Sequence, residues 1–172
     1  MTIHRTINRT GRWMQRLVLA VLALIIFASA PGETMDRQNS TQKTALNVAS
    51  PADLEAAVRS LTSIVPARSY FNYESLEKAA NVVFEKLKSL GLDPQNQYFE
   101  VEHRKFRNIS VLLGPQKGSR LIIGAHYDTA GDQPGADDNA SGVAGVLELA
   151  RLLAPLQDQM KQPTELIAYT LE

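Results

Sequence analysis

The 172-residue sequence contains no cysteine. That excludes a disulfide framework and any thiolate metal site, so a bound metal would have to be held by His, Asp or Glu. It also excludes a lipid anchor on an N-terminal cysteine. Internal repeats and low-complexity tracts are absent as well. There is no excess of charge: 18 basic residues balance 18 acidic ones. Acid is missing altogether from residues 1–30, which carry Arg5, Arg9, Arg12 and Arg16. Removing those four leaves 14 basic against 18 acidic residues, a net of −4 for the rest. A mildly acidic body argues against nucleic acid as a partner, which calls for a basic face. What remains is 44% hydrophobic and 21% charged, the balance of a globular chain with room for one domain.

The acid-free start reads as an export signal. Basic residues end at Arg16, the apolar run Leu17–Phe27 follows, and Ala28-Ser29-Ala30 supplies a small-x-small cleavage site. The run is shorter than the roughly 20 residues a spanning helix prefers. Pro31, directly after the expected cut, disfavours processing, so an uncleaved anchor through residues 17–30 is the alternative. The expected location is periplasmic or extracellular. Residues 31–49 are polar and read as a linker, and the domain proper is expected over 50–172.

Ser50-Pro51-Ala52-Asp53 is a helix start: a capping serine, proline at the first helical position, and Asp53 placed to close a capping box. This helix is expected to run to about Ser63. Leu76, Ala80, Val83, Leu87 and Leu90 recur at spacings of four and three, an amphipathic helix ended by Gly91 and Pro94. The period then changes. Residues 97–102 and 108–113 read as short strands flanking His103-Arg104-Lys105. Residues 121–125 are wholly apolar, as for a strand buried on both faces. A loop rich in Gly, Asp and Pro spans 129–139, a helix starts near Ala140–Ser141, and 165–171 reads as a strand. This alternation predicts an α/β fold with helices on the sheet.

In such folds ligands meet the carboxyl ends of strands. His126 and Asp128 follow one strand, Asp137 and Asp138 sit in the loop before a helix, and Glu172 follows another strand. Residues two apart in extended chain point to one side. Asp128 can therefore hydrogen-bond one imidazole nitrogen of His126 while the other faces a metal. Taken singly, each piece has a plain structural reading. His126 can be an ordinary strand-end histidine, and Asp and Asn turn chains and cap helices. Asn139 and Ser141 are read as caps. Asp137, Asn139, Ser141, Gly142 and Glu148 also fall on a calcium-loop spacing. That motif needs a helix leading in, and Gly131, Pro134 and Gly135 precede this loop.

The combination is more specific. The strand ending in His126-Tyr127-Asp128, the loop Gly135-Ala136-Asp137-Asp138-Asn139-Ala140-Ser141-Gly142, and the strand ending in Glu172 resemble the two-zinc aminopeptidase family. That family includes bacterial leucyl aminopeptidase, glutamate carboxypeptidase and the zinc glutaminyl cyclases. The resemblance covers residues 51–172 and is sharpest over 121–142 and 167–172. It implies an incomplete three-layer αβα sandwich with a mixed, largely parallel sheet. It implies zinc, two ions in a complete site, with a peptide or aminoacyl substrate. It implies that His126 and Asp138 are metal ligands, Asp138 bridging, and that Asp128 supports His126. Glu172 would be the general base that takes a proton from the attacking water. A cis peptide is expected between Asp138 and Asn139.

The family pattern also calls for a second glutamate after Glu172 and a later aspartate and histidine. The other histidines, His4 and His103, are poor substitutes. The expectation is an exported exopeptidase whose N-terminal part stands here, not competent alone and with residues 165–171 as an exposed sheet edge. Residues 31–172 releasing amino acids from aminoacyl-nitroanilides would overturn that. A non-catalytic relative and a single-zinc glutaminyl cyclase are the alternatives. Side-chain preference is not legible.

Overall fold

In the computed structural model, residues 48–172 are described. The expected export signal and nearly all of the linker fall outside them. Among the described residues no helix is long and apolar enough to cross a membrane.

Among the described residues three α-helices and four strands follow one another: α1 (Pro51–Thr62), α2 (Tyr73–Ser89), β1 (Gln95–Val101), β2 (Arg104–Leu113), β3 (Leu121–His126), α3 (Ser141–Leu153) and β4 (Thr164–Tyr169). A short 3₁₀ segment, Ala154–Gln159, links α3 to β4. Ser50 caps α1 as expected, its hydroxyl accepting from the Asp53 amide at 3.2 Å. The reciprocal half of the capping box is not made by Asp53. The Ser50 amide donates instead to Glu148 Oε1 of α3 at 2.7 Å. A long-range partner therefore replaces the local one, and it ties α1 to α3. The stripe of α2 buries Leu76, Ala79, Ala80, Val83 and Leu87, and Gly91 in left-handed conformation (φ 75°) ends the helix.

The sheet order is β1-β2-β4-β3. β1 and β2 form a hairpin whose two turn residues, Glu102 and His103, have φ of 48° and 62°. Such a primed turn matches the twist of its strands. Arg104 and Lys105, expected in a turn, therefore open β2. The sheet is mixed, as expected, but not largely parallel among the described strands: only β3 and β4 run parallel, and both other pairings are antiparallel. The connections explain this, because a tight hairpin forces antiparallel pairing and only the crossover through α3 permits a parallel one.

Two expectations about edges are reversed. β4 is not an exposed edge. It lies between β2 and β3, and Leu166 to Ala168 are all buried. β3 is the edge strand here, with Leu121 46% and Ile122 55% exposed despite its unbroken apolar run. Ile123 and Ala125 pack into the single core with α2 and α3. By alternation, Ile122 and Gly124 point to the other face. The helices and their core thus form two layers, consistent with an incomplete sandwich.

Candidate metal centre

β3 and β4 run parallel and end together, so the segments after them share one end of the sheet. His126 is the last residue of β3, opposite Tyr169. Beyond it, the Tyr127 amide donates to the Tyr169 carbonyl at 2.8 Å, and the buried Tyr127 hydroxyl donates to the Arg107 carbonyl at 2.7 Å. These bonds hold the strand end against β4 and β2 before the chain turns at Asp128.

The acidic loop arrives from the other direction. Gly135 sits in left-handed conformation at φ 57°, and an added Cβ would collide with the Asp138 carbonyl and the Thr129 side chain. Asp138 and Asn139 depart from helical angles, and the peptide between them is cis. Asn139 Oδ1 accepts from the Gly142 amide at 3.0 Å, and Ser141 donates to the Asp137 carbonyl at 3.1 Å. Asn139 therefore caps the helix start, whereas Ser141, expected as a cap, is the first residue of α3 and bonds back to a carbonyl. Glu148 is committed to Arg151 (2.8 and 2.9 Å) and to the Ser50 amide, well inside α3. The calcium-loop spacing is thus a coincidence of sequence. Of its supposed ligands, Asn139 is taken by a helix amide and Glu148 by an amide and an arginine.

His126 Nε2 lies 3.1 Å from Asp138 Oδ1 and 2.9 Å from Glu172 Oε2. One ligand atom from each of these three residues lies within 4.8 Å of the others. The imidazole is 13% exposed, whereas the two carboxylates are largely open to solvent. Asp128 stands on the opposite side of the ring, its Oδ1 3.6 Å from Nδ1. Both of those atoms are buried without a hydrogen-bond partner. Burial pushes the Asp128 carboxyl up, opposed by its own amide, the His126 charge, and the amides of Glu172 and Leu171. Asp137 is exposed and not in the cluster, and His103 lies fully exposed at the hairpin tip. His4 falls outside the described residues.

The donor set suits zinc. One imidazole nitrogen and two carboxylate oxygens converge, and zinc accepts both types. The expected hydrogen bond from His126 to Asp128 is not made at 3.6 Å, although Asp128 lies on the side of the ring from which a carboxylate would fix the tautomer of a ligating histidine. A cleft of about 380 Å³ opens over the cluster, walled by Tyr70, Phe71, Val101, Thr129 and Leu171.

One residue at the centre escaped the sequence reading. Arg68 is 1% exposed. Its Nε donates to the Tyr127 carbonyl (2.7 Å), Nη1 to the Pro134 carbonyl (2.5 Å), and Nη2 to the Gly135 carbonyl (2.7 Å). Its own carbonyl accepts from the Thr129 amide at 3.0 Å. Burial pushes the guanidinium down, and the charges of Asp128 and Asp138 pull it back. No sequence signal marks it, because an arginine between Pro66 and Tyr70 reads as a solvated loop charge.

Comparison with known proteins agrees with this geometry. Residues 108–172 match the model of Peptidase family M28. The uncharacterised Escherichia coli protein YfbL is 45% identical over 132 residues, 72% of this chain and 40% of that protein. A probable zinc metalloprotease of Pyrenophora tritici-repentis is 43% identical over 60 residues, 27% of this chain and 14% of that protein. The crystal structure of Porphyromonas gingivalis glutaminyl cyclase superposes with a TM-score of 0.62 at 26% identity, over 72% of this chain and 46% of that one. The chain thus spans at most about 40% of these curated relatives. The strand, loop, helix and strand that carry His126, Asp138 and Glu172 all lie within the residues that match the model of Peptidase family M28.

Proposed function

We propose that this chain contributes to an exported zinc exopeptidase of aminopeptidase type, acting on peptide or aminoacyl substrates. The observation that carries the proposal is the convergence of His126, Asp138 and Glu172 at the shared end of β3 and β4. His126 and Asp138 would hold zinc, with Asp138, exposed on the rim, free to bridge a second ion. Bound zinc would supply Lewis acidity, polarising the scissile carbonyl and acidifying water. Asp128, 3.6 Å behind Nδ1, would orient the His126 ring with Nε2 toward the cleft. Glu172, whose exposed carboxylate lies beside Nε2, would take a proton from water and pass it to the leaving amine. Residues 1–30 would direct export, with residues 17–30 as the membrane contact if they are retained.

Zinc uptake tests this without requiring turnover. The purified chain should take up zinc by equilibrium dialysis, and His126→Ala and Asp138→Asn should each lower the affinity by at least tenfold. A chain that ignores zinc, or a His126→Ala variant that binds unchanged, would sink the assignment. Export is tested by fusing residues 1–30 to a reporter active only outside the cytoplasm.

A second reading, glutaminyl cyclization at a single zinc, is favoured by the likeness to the Porphyromonas gingivalis enzyme and by a cluster small enough for one ion. The two differ in product. Ammonia released from an amino-terminal glutamine peptide marks cyclization, and a free amino acid marks peptidase action.

A further inference from the structure

We propose that Arg68 is the positioning residue that sets the spacing between His126 and Asp138, and so tunes metal affinity without touching the metal; this rests on the zinc reading above.

The two ligands reach the centre by independent routes. His126 ends β3, while Asp138 hangs from a loop that leaves at Thr129 and returns through Pro134 and Gly135. Besides the contact between the two ligands themselves, one guanidinium hydrogen-bonds both routes. It donates to Tyr127, next after His126, and to Pro134 and Gly135, just before the acidic pair. The Arg68 carbonyl also receives the Thr129 amide, so Arg68 brackets Asp128 on both sides. Four carbonyls accept from this side chain, those of Tyr127, Pro134, Gly135 and, at 3.4 Å, Leu61, and its planar fork can serve several acceptors at fixed angles, as an ammonium cannot. Gly135 completes the fit, since a Cβ there would lie 3.0 Å from Arg68 Nη2. Losing the fork would leave the His126–Asp138 distance to be set by a free loop. Removal of supports that lie behind ligands typically costs about 10–100-fold in metal affinity.

The test compares zinc affinity of the full chain with that of Arg68→Ala, Arg68→Lys and Arg107→Ala, by competition with a chromophoric chelator. Arg107 is the matched control. It is also nearly buried and bonds Asn81 and Asn96, away from the cluster. Arg68→Ala should lose about 10–100-fold in affinity, Arg107→Ala should lose stability but little affinity, and added guanidinium should restore binding to Arg68→Ala. Should Arg68→Ala fail to fold, Arg68→Lys decides. A folded lysine variant weakened at least tenfold supports the proposal. Unchanged zinc affinity in a folded Arg68 variant overturns it while the zinc reading stands. A wild-type chain that binds no zinc overturns both.

Discussion

Glu148 ties α3 to the start of α1. Placed on a calcium spacing, it instead accepts from Arg151 and from the amide that begins α1. Arg151 holds its carboxyl below the ordinary glutamate range, helped by the Ser50 amide and opposed by burial. A depressed folded-state pKa contributes stability above the unfolded-state value and loses it as pH falls through the folded one. Glu148→Ala should therefore cost about 1.5–3 kcal/mol near neutrality, the scale of hydrogen bonds to a charged group. The difference from wild type should shrink below about pH 4. Urea unfolding at several pH values measures both. A difference that grows on acidification would contradict the pairing. Tyr127→Phe removes the buried donor to the Arg107 carbonyl and should cost about 1–3 kcal/mol by the same measurement, the price of an unmet buried acceptor.

The loop before α3 does its work as a unit. Gly135 takes a left-handed turn, Asn139 caps the helix, and Asp138 between them is turned toward His126. Gly135→Ala must place a Cβ against Thr129 and the Asp138 carbonyl in a conformation L-residues disfavour by roughly 1–2 kcal/mol. The loss of stability should come with a fall in zinc affinity, because relief of the clash moves Asp138. Asn139→Ala removes the cap alone and should cost about 1 kcal/mol. Chemical denaturation paired with zinc competition separates the two. Weaker zinc binding only in the cap variant would mean that Gly135 is not what aims Asp138.

At the scale of the molecule, the helices pack on one face of the sheet, and the β3 edge of the other face is exposed. Leu166 of β4 is wholly buried among α2 and α3 residues, whereas Ile122 of β3 is mostly exposed on the other side. Leu166→Ala should cost about 2–5 kcal/mol and Ile122→Ala about 0.5 kcal/mol or less. Equal costs in urea titrations would mean that the face bearing Ile122 is covered in solution.

Periodicity and punctuation carried much of this structure in plain sight. The α2 stripe, the Ser50 cap and the Gly91 stop are local, decided by spacing and by backbone preference, and the structure has them where the sequence puts them. The family's loop is local as well, and its resemblance anticipated the cis peptide at Asp138–Asn139. Strand neighbours were not legible. Apolar runs say that strands are buried but not which lie side by side, and the sheet order puts β4 inside and β3 at the edge, the reverse of what the runs suggest. Long-range partners were equally hidden. The amide of Ser50 bonds a residue 98 positions away, and Arg68 reaches carbonyls 59 to 67 positions along the chain. The sequence by itself determined which side chains could hold a metal, because chemistry belongs to residue types and their local order. Only the tertiary structure decided that His126, Asp138 and Glu172 meet, and that a buried guanidinium joins the routes to two of them. Pairing between distant segments depends on the packing of the whole sheet.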